Sequence, residues 1–230
     1  MLAELTELLS VVPVDSEREA YESAVVHENV LGKSTDATRR QTIQRLSELY
    51  GLDPSIAVFR ALRRLWAMDA SGRALLALLC SLARDPLLRA SAAAVVRLPV
   101  GAELVRSTAL DQLRGAVGDR LNPAILDKVA RNTASSWTQS GHLTGRVRKI
   151  RQRVNPTPLV VAFALWLGHL EGRAGSDLFK TLWASVLDRS ESTLTDLTLQ
   201  AKRLGLLDAR IGGDVVELNV RRIDPRAEAR

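Results

Sequence analysis

A chain of 230 residues, 46% hydrophobic and only 4% aromatic, is long enough to bury a core without disulfides, and its composition favours helices packed on helices. The single cysteine, Cys80, excludes an internal disulfide, and the longest apolar stretch, residues 159–170, is too short to cross a membrane. With no export signal at the amino terminus, we expect a cytoplasmic protein, and the net charge of +6 predicts an anionic partner.

The charges are unevenly distributed along the chain. Residues 1–32 contain seven acidic side chains and one basic side chain, whereas residues 120–153 contain eight basic side chains and one acidic. A solvated surface normally mixes both signs, so the second segment predicts a binding site for a polyanion. An unspecific basic surface is the alternative.

Capping signals divide the amino-terminal two thirds of the chain into helices. Asp85-Pro86 and Asn122-Pro123 each place a capping oxygen before a proline, which is favoured at the first helical position. Thr35 or Asp36 caps another helix, which Gly51 ends. Four helices are predicted with both ends, at residues 2–11, 35–51, 72–84 and 109–117. Four more are predicted from their starts alone, near residues 15, 53, 85 and 122.

A basic run, residues 142–154, follows the helix that Asn122 opens. Its valine and isoleucine residues lie at helical spacing, and it is predicted either as a helix or as the arm of a basic hairpin. Two prolines then occur within residues 155–158, where they cannot continue a helix. The chain is therefore divided into an amino-terminal helical domain, residues 1–154, and a carboxyl-terminal winged-helix domain, residues 155–230.

The clearest pattern lies near the carboxyl terminus. A helix capped by Ser176 or Asp177 extends to about Leu187, and after a polar turn Ser192-Thr193 cap a second helix. Two apolar segments then flank Gly212-Gly213, a pair that favours a two-residue hairpin turn because glycine tolerates positive φ. Helix, turn, helix and hairpin follow one another as in a winged helix-turn-helix.

Residues 138–154 are predicted to repeat this arrangement, because Leu143-Thr144 follows a polar turn as Leu194-Thr195 does, 51 residues later. The basic run would then take the place of the recognition helix, with Arg146, Lys149 and Arg153 on one face. The predicted fold is mainly α, a helical bundle with winged helix-turn-helix units and a short carboxyl-terminal β-hairpin.

Several polar side chains in these segments are candidates for contact with DNA. Basic side chains neutralise phosphates, and hydroxyl and imidazole groups form hydrogen bonds with phosphates or bases. The candidate DNA-binding residues are Arg39, Arg40, Arg131, Thr138, Ser140, His142, Thr144, Arg146, Arg148, Lys149, Arg151, Arg153, Ser192, Thr193, Thr195, Lys202 and Arg203.

Three stretches give the chain a likeness to a known family. They are Gly32-Lys33-Ser34-Thr35 with Arg39 and Arg40, residues 137–143 (WTQSGHL), and Ser192-Thr193-Leu194 leading to Leu204-Gly205-Leu206-Leu207. In these the chain resembles BrxA, the small winged-helix DNA-binding component of bacteriophage-exclusion (BREX) defence systems. The resemblance implies a helical, non-enzymatic DNA-binding protein that is encoded with a methyltransferase, an ATPase and a phosphatase-like partner.

Other classes of function lack a sequence signal. The three histidines are far apart and have no cysteine or carboxylate at metal-ligand spacing, so no metal or cofactor is expected. No phosphate loop or nucleophile elbow occurs, and we expect no enzymatic activity, small-molecule substrate or membrane partner. The expected partner is double-stranded DNA, with other defence proteins as further partners; a protein–protein adaptor and an RNA-binding protein are the alternatives.

Overall fold

Helices make up most of the described chain, which comprises residues 1–212 and 215–228 of a computed structural model. Before residue 140 the helices are α1 (Leu2–Val11), α2 (Arg18–Val26), α3 (Asp36–Tyr50), α4 (Ala57–Met68), α5 (Arg73–Arg84), α6 (Pro86–Val96), α7 (Arg106–Val117) and α8 (Pro123–Gln139). After it come α9 (Pro158–Leu170), α10 (Leu182–Ser185) and α11 (Glu191–Arg203). The strands form two antiparallel pairs, β1 (Leu143–Thr144) with β2 (Ile150–Arg151) and β3 (Asp208–Gly212) with β4 (Val215–Asn219). The prediction of a mainly helical fold with a short carboxyl-terminal hairpin is confirmed.

Capping side chains fix the starts of several helices as predicted. The Asp85 carboxylate accepts hydrogen bonds from the amides of Leu87 and Leu88 at the start of α6. The Asn122 side chain accepts one from the Ile125 amide, 2.9 Å away, at the start of α8. Both helices have proline at their first position. An amide hydrogen there would have no acceptor within the helix, so proline costs no hydrogen bond.

Several predicted helix starts are wrong, among them that of α7, which begins at Arg106 rather than at residue 109. Asp53 accepts the Ser55 amide within a turn, and α4 begins only at Ala57. The helix predicted from residue 176 is interrupted, because Thr181 adopts an extended conformation and caps the separate helix α10 with its hydroxyl. Ser190, rather than Ser192-Thr193, caps α11 by accepting the Thr193 amide.

A continuous hydrophobic core surrounds α9. Every residue of this helix from Leu159 to Gly168 is buried, and α9 packs against α4, α5, α10 and α11. The same core contains Trp137 and Leu143 from one side of the predicted division at residues 154 and 155, and Trp166 from the other. The division into two domains stays a prediction. No helix in the described ranges combines the length and apolar character needed to cross a membrane.

The order of three helices followed by a hairpin occurs twice. The first unit runs from α6 through α7 and α8 to β1 and β2, and residues 102–104 add a short extended segment beside β2. The amide of Leu104 donates to the Lys149 carbonyl oxygen at 2.8 Å, and the Arg151 amide donates to that of Ala102 at 2.9 Å. The second unit runs from α9 through α10 and α11 to β3 and β4.

The predicted 51-residue repeat is wrong although the repeated order exists. Leu143-Thr144 form strand β1, whereas Leu194-Thr195 lie inside helix α11. When helix is matched with helix, α8 ends at Gln139 and α11 at Arg203, which is 64 residues later. In the second hairpin Gly212 pairs with Val215, and Gly213, the other half of the predicted turn, lies outside the described residues.

Candidate nucleic-acid interface

The basic run forms a hairpin rather than a helix. Thr144 pairs with Ile150 and Leu143 with Arg151, so residues 145–149 form the connecting loop. Gly145 has a φ of +97°, and a Cβ atom there would overlap the carbonyl oxygen of Arg148. The Lys149 ammonium closes the loop by donating to the Gly145 carbonyl oxygen at 2.7 Å. Only glycine therefore fits at the first position of this loop.

A groove separates the hairpin from helix α8. It encloses about 410 Å³, and its apolar floor comes from side chains of α7, α8 and the segment before α7. Four cationic side chains line it: Arg106, Arg131, Arg146 and Lys149. We call this space the basic groove. Three of its four cations were predicted as DNA-binding residues, and they come from two elements that fold side by side.

The charge of the basic groove is strongly positive. Its lining contains one carboxylate, Asp127, which contacts both Arg106 and Arg131. The two guanidinium groups remain 71% and 72% exposed, so Asp127 holds them in place without removing them from solvent. One negative charge against four positive charges leaves a net charge of +3 facing the groove.

Sequence reasoning missed Arg106. This residue lies outside the basic segment and begins α7, where nothing in its neighbourhood marks it as special. The backbone hydrogen bond from Leu104 to Lys149 places the start of α7 beside the hairpin. Because that bond joins residues far apart in the chain, local patterns contain no signal for it.

Two of the predicted site residues, Ser140 and His142, are buried in the structure. The His142 ring is fully buried, with Nδ1 2.8 Å from the Ser140 hydroxyl and Nε2 2.7 Å from the Val186 carbonyl oxygen. It also packs edge-on against Trp137. Burial lowers the pKa of His142 to about 4, so the ring is neutral at pH 7. These side chains stabilise the core and cannot reach a phosphate, which corrects the expectation.

Arg151 is also removed from the surface. It is only 1% exposed and forms an ion pair with Asp188. Its Nε donates to the Val95 carbonyl oxygen at 2.8 Å. With its hydrogen bonds directed into the interior, this guanidinium group is structural, contrary to the expectation that it binds DNA.

The remaining candidates of the hairpin region lie at the margins of the basic groove. Arg148 is 75% exposed and pairs with Glu103 at 2.7 Å. Thr144 and Arg153 are exposed but do not line the groove. Thr138 is half-buried and donates its hydroxyl to the Ala134 carbonyl oxygen. The positive charge of Arg148 is offset by its ion pair with Glu103.

The two candidates on α3 are engaged locally. Arg40 pairs with Asp36 at 2.7 Å, and this hydrogen bond lowers the pKa of the Asp36 carboxyl. Arg39 donates to the carbonyl oxygens of Val26 and Lys33. The structure therefore does not bring these two arginines to the basic groove.

In the second unit a cleft lies over the β3–β4 hairpin and reaches α11 only at Lys202, and the charges of its lining balance. Lys202 and Arg210 line it together with Asp208 and Glu217. Lys202 donates to the Ala209 carbonyl oxygen at 2.8 Å, and Arg210 lies 3.9 Å from Glu217. This cleft and the basic groove therefore differ in electrostatics.

The other candidates of the second unit lie along α11. Ser192 and Thr193 are at its first turn, where their hydroxyls bond to that of Ser190. Thr195 is half-buried and Arg203 is exposed. None of these four lines the groove beside the second hairpin.

The described residues include no candidate metal site and no exposed thiol. No three His, Cys, Asp or Glu side chains of residues 1–212 and 215–228 are grouped so that they could hold a metal ion. Cys80 is buried, and burial raises the pKa of its thiol to about 12. A thiol that stays protonated at neutral pH is a weak nucleophile and ligand.

Comparison with known proteins assigns no family to the chain. No protein-family model matches it, and no curated protein or solved structure is significantly similar to it. The functional inference therefore comes from the two grooves and their charges.

Proposed function

We propose that the protein binds double-stranded DNA without catalysing a reaction, and that its two helix–hairpin units are winged helix-turn-helix modules. The order of α7, α8 and the β1–β2 hairpin supports this, since a second helix followed by a packed hairpin is the arrangement of such modules. The observation that carries the proposal is the basic groove, which presents a net charge of +3 between an exposed helix and a hairpin.

Helix α8 is the element proposed to enter the major groove. Its outer face carries exposed side chains able to contact phosphates and base edges, namely Lys128, Arg131, Asn132 and Ser135. A B-form major groove is wide enough for one α-helix. With α8 in place, one phosphodiester strand would run along the basic groove, between Arg131 on the helix and Arg146 and Lys149 on the hairpin.

The first unit is proposed as the main DNA contact and the second is not. A phosphate backbone gains from neutralising cations because it releases condensed counterions. The basic groove offers a surplus of positive charge, whereas Lys202 and Arg210 are offset by Asp208 and Glu217. The difference in charge therefore favours α8 and the first hairpin.

Fluorescence anisotropy of a labelled DNA duplex, titrated with protein at several salt concentrations, tests the proposal. About four phosphate contacts predict a slope of roughly −3 to −4 for log affinity against log salt. An unlabelled RNA duplex of the same length is expected to compete poorly, because the narrow major groove of A-form RNA does not admit a helix. Absence of binding at low salt would reject the proposal, and stronger competition by RNA would favour the RNA-binding alternative.

A second candidate function, contact with a protein partner, is favoured by the groove of the second unit. Its charges balance, and exposed apolar side chains, Leu204 and Val215, lie on α11's end and on β4. Such a mixed surface is typical of protein interfaces. The DNA-binding and adaptor functions can coexist, one in each unit. A variant with a charged residue in place of Val215 separates them, because it should impair binding of the protein partner and leave DNA binding unchanged.

The resemblance to BrxA extends the proposal to biological role. We propose that the protein is a component of a bacteriophage-exclusion system and acts with other defence proteins. Neighbouring genes that encode a methyltransferase, an ATPase and a phosphatase-like protein would support this role. Deletion of the gene from such a locus should then change resistance to phage, and unchanged resistance would contradict the role without affecting DNA binding.

A further inference from the structure

A second cavity lies on the opposite side of α8 from the basic groove. It encloses about 480 Å³ and is bounded mainly by α3, α5, the start of α6 and α8. Its apolar lining includes Leu78 and Leu88, which are buried, and Leu49 and Val129, which are half-buried. Small-molecule sites are typically pockets of about 300 to 1,000 Å³ that combine apolar walls with a few polar groups. We call this space the α3–α8 cavity.

Two cationic side chains line the α3–α8 cavity from different helices. Arg45 belongs to α3 and Lys128 to α8, and both are exposed. Among the described residues neither side chain has an ion-pair or hydrogen-bond partner. A phosphomonoester carries a charge of about −1.5 to −2 at pH 7, so a single phosphate can neutralise both cations. The pair therefore favours a phosphomonoester over a carboxylate, which has only one charge.

Two carboxylates line the same cavity, and they differ in what they can still accept. Asp85 already accepts the amides of Leu87 and Leu88 at the start of α6. Glu48 is exposed, and its carboxylate accepts one hydrogen bond among the described side chains, from Gln44 at 2.9 Å. A carboxylate accepts hydrogen bonds and has none to donate. The remaining acceptor sites of Glu48 therefore suit a ligand that carries N–H donors as well as a phosphate.

We propose that the α3–α8 cavity binds a guanine mononucleotide. Its phosphate would lie between Arg45 and Lys128, and the base would direct its N–H edge toward Glu48. Guanine presents a ring N–H and an amino group side by side, an arrangement that one carboxylate can accept. The apolar lining, including Leu49 and Leu78, gives the face of the base a surface on which to pack.

A nucleotide in this cavity would compete with DNA. Lys128 and Asn132 line the α3–α8 cavity and also belong to the outer face of α8 that is proposed to enter the major groove. A phosphate bound to Lys128 would occupy that side chain and place negative charge beside α8, where it repels the duplex. This step rests on the proposed function and makes the nucleotide an inhibitor of DNA binding.

Isothermal titration calorimetry with guanosine 5′-monophosphate (GMP) tests the site directly. Guanosine and inorganic phosphate each lack one half of the ligand and should bind about tenfold more weakly or worse. Arg45→Ala and Lys128→Ala should each weaken GMP binding about tenfold, because each removes one of the two charges on the phosphate. Both side chains are exposed, so folding should be unchanged, as circular dichroism will verify.

Two further comparisons locate the phosphate and the base. Arg131→Ala is the matched control, since it removes the same charge from α8 one turn from Lys128 but lines the basic groove instead of the α3–α8 cavity. It should bind GMP like wild type. Inosine 5′-monophosphate lacks the amino group of guanine and should bind more weakly than GMP, and Glu48→Gln should abolish this difference.

Anisotropy of a labelled DNA duplex measures the competition. At constant ionic strength, saturating GMP should weaken duplex binding by the wild-type protein about fivefold. Arg45 lies outside the proposed DNA contact, so Arg45→Ala should bind the duplex like wild type. At the same GMP concentration this variant should escape most of the inhibition, because its cavity is largely unoccupied.

The outcomes separate this inference from the proposed function. Absence of GMP binding would overturn the nucleotide site and leave DNA binding standing. Equal GMP affinity in wild type, Arg45→Ala and Lys128→Ala would overturn its assignment to the α3–α8 cavity. GMP binding without loss of duplex affinity would overturn the competition. If the wild-type protein binds no duplex, the proposed function fails, and calorimetry with GMP still decides whether the nucleotide site exists.

Discussion

The Arg151 guanidinium and the Asp188 carboxylate form an ion pair inside the protein, with side chains only 1% and 9% exposed. Arg151 lies on β2, within the β1–β2 hairpin, and Asp188 lies between α10 and α11. The same guanidinium donates to Val95 at the end of α6. One side chain thus fixes the hairpin relative to both helix–hairpin units.

Removal of one partner of this pair should strongly destabilise the protein. Arg151→Met leaves the Asp188 carboxylate buried without its counter-charge, which costs about 3 to 5 kcal/mol of unfolding free energy. Guanidinium chloride unfolding measures this loss. The double variant Arg151→Met with Asp188→Asn should be more stable than Arg151→Met alone, because no uncompensated charge remains and asparagine tolerates the φ of +56° at this position. A loss below about 1 kcal/mol, the range of exposed pairs, would contradict the structural role of Arg151.

His142 predicts a loss of stability in mild acid. Burial lowers its pKa from 6.5 to about 4. In mild acid the ring is therefore protonated in the unfolded chain and neutral in the native protein. The contribution of the neutral ring to the free energy of unfolding is complete above pH 6.5 and declines as the pH falls toward 4. The free energy of unfolding is lowered by roughly 2 kcal/mol at pH 5.

Unfolding free energies at pH 7 and pH 5 check this prediction. His142→Gln cannot titrate in this range, and the difference between the two pH values should shrink by about that amount relative to wild type. An unchanged difference would mean that His142 is protonated in the native protein.

Gly145 predicts a variant that folds but binds DNA poorly. In Gly145→Ala the new Cβ would overlap the Arg148 carbonyl oxygen at a φ of +97°, so the loop must rearrange and move Arg146 and Lys149. The affinity for duplex DNA should fall about tenfold or more, and the free energy of unfolding should fall by about 1 to 3 kcal/mol. Gly212→Ala is the matched control, since a Cβ there meets no atom within 4 Å, and it should bind like wild type.

Local chemistry was sufficient to predict much of the helical fold. The caps at Asp85 and Asn122, each followed by proline, identified the starts of α6 and α8. The carboxyl-terminal hairpin followed from its apolar segments and glycines. These signals involve residues within a few positions of one another, and their effect does not depend on distant parts of the chain.

The basic run could not be resolved locally, because distant partners decide its structure. Residues 102–104 pair with β2 and help make it a strand, on which Arg151 is buried. The acceptor that makes this burial possible, Asp188, comes 37 residues later. Charge counting therefore pointed to the segment that lines the basic groove, but it included a buried arginine and omitted Arg106.

The most direct test of the central claim compares two triple variants on the same DNA duplex. One removes cations from the basic groove, with Arg131→Ala, Arg146→Ala and Lys149→Ala. The other removes cations of the second unit, with Lys202→Ala, Arg203→Ala and Arg210→Ala. Both lower the net charge of the protein by three, so an effect of overall charge would be the same in each.

Anisotropy titrations across a range of salt concentrations give the affinity and the salt slope of each variant. The first triple variant should lose most of its affinity and reduce the salt slope by roughly 3, because about three phosphate contacts disappear. The second should keep the wild-type slope. Equal losses in the two variants, or a larger loss in the second, would contradict the claim that the groove between α8 and the first hairpin holds the DNA backbone.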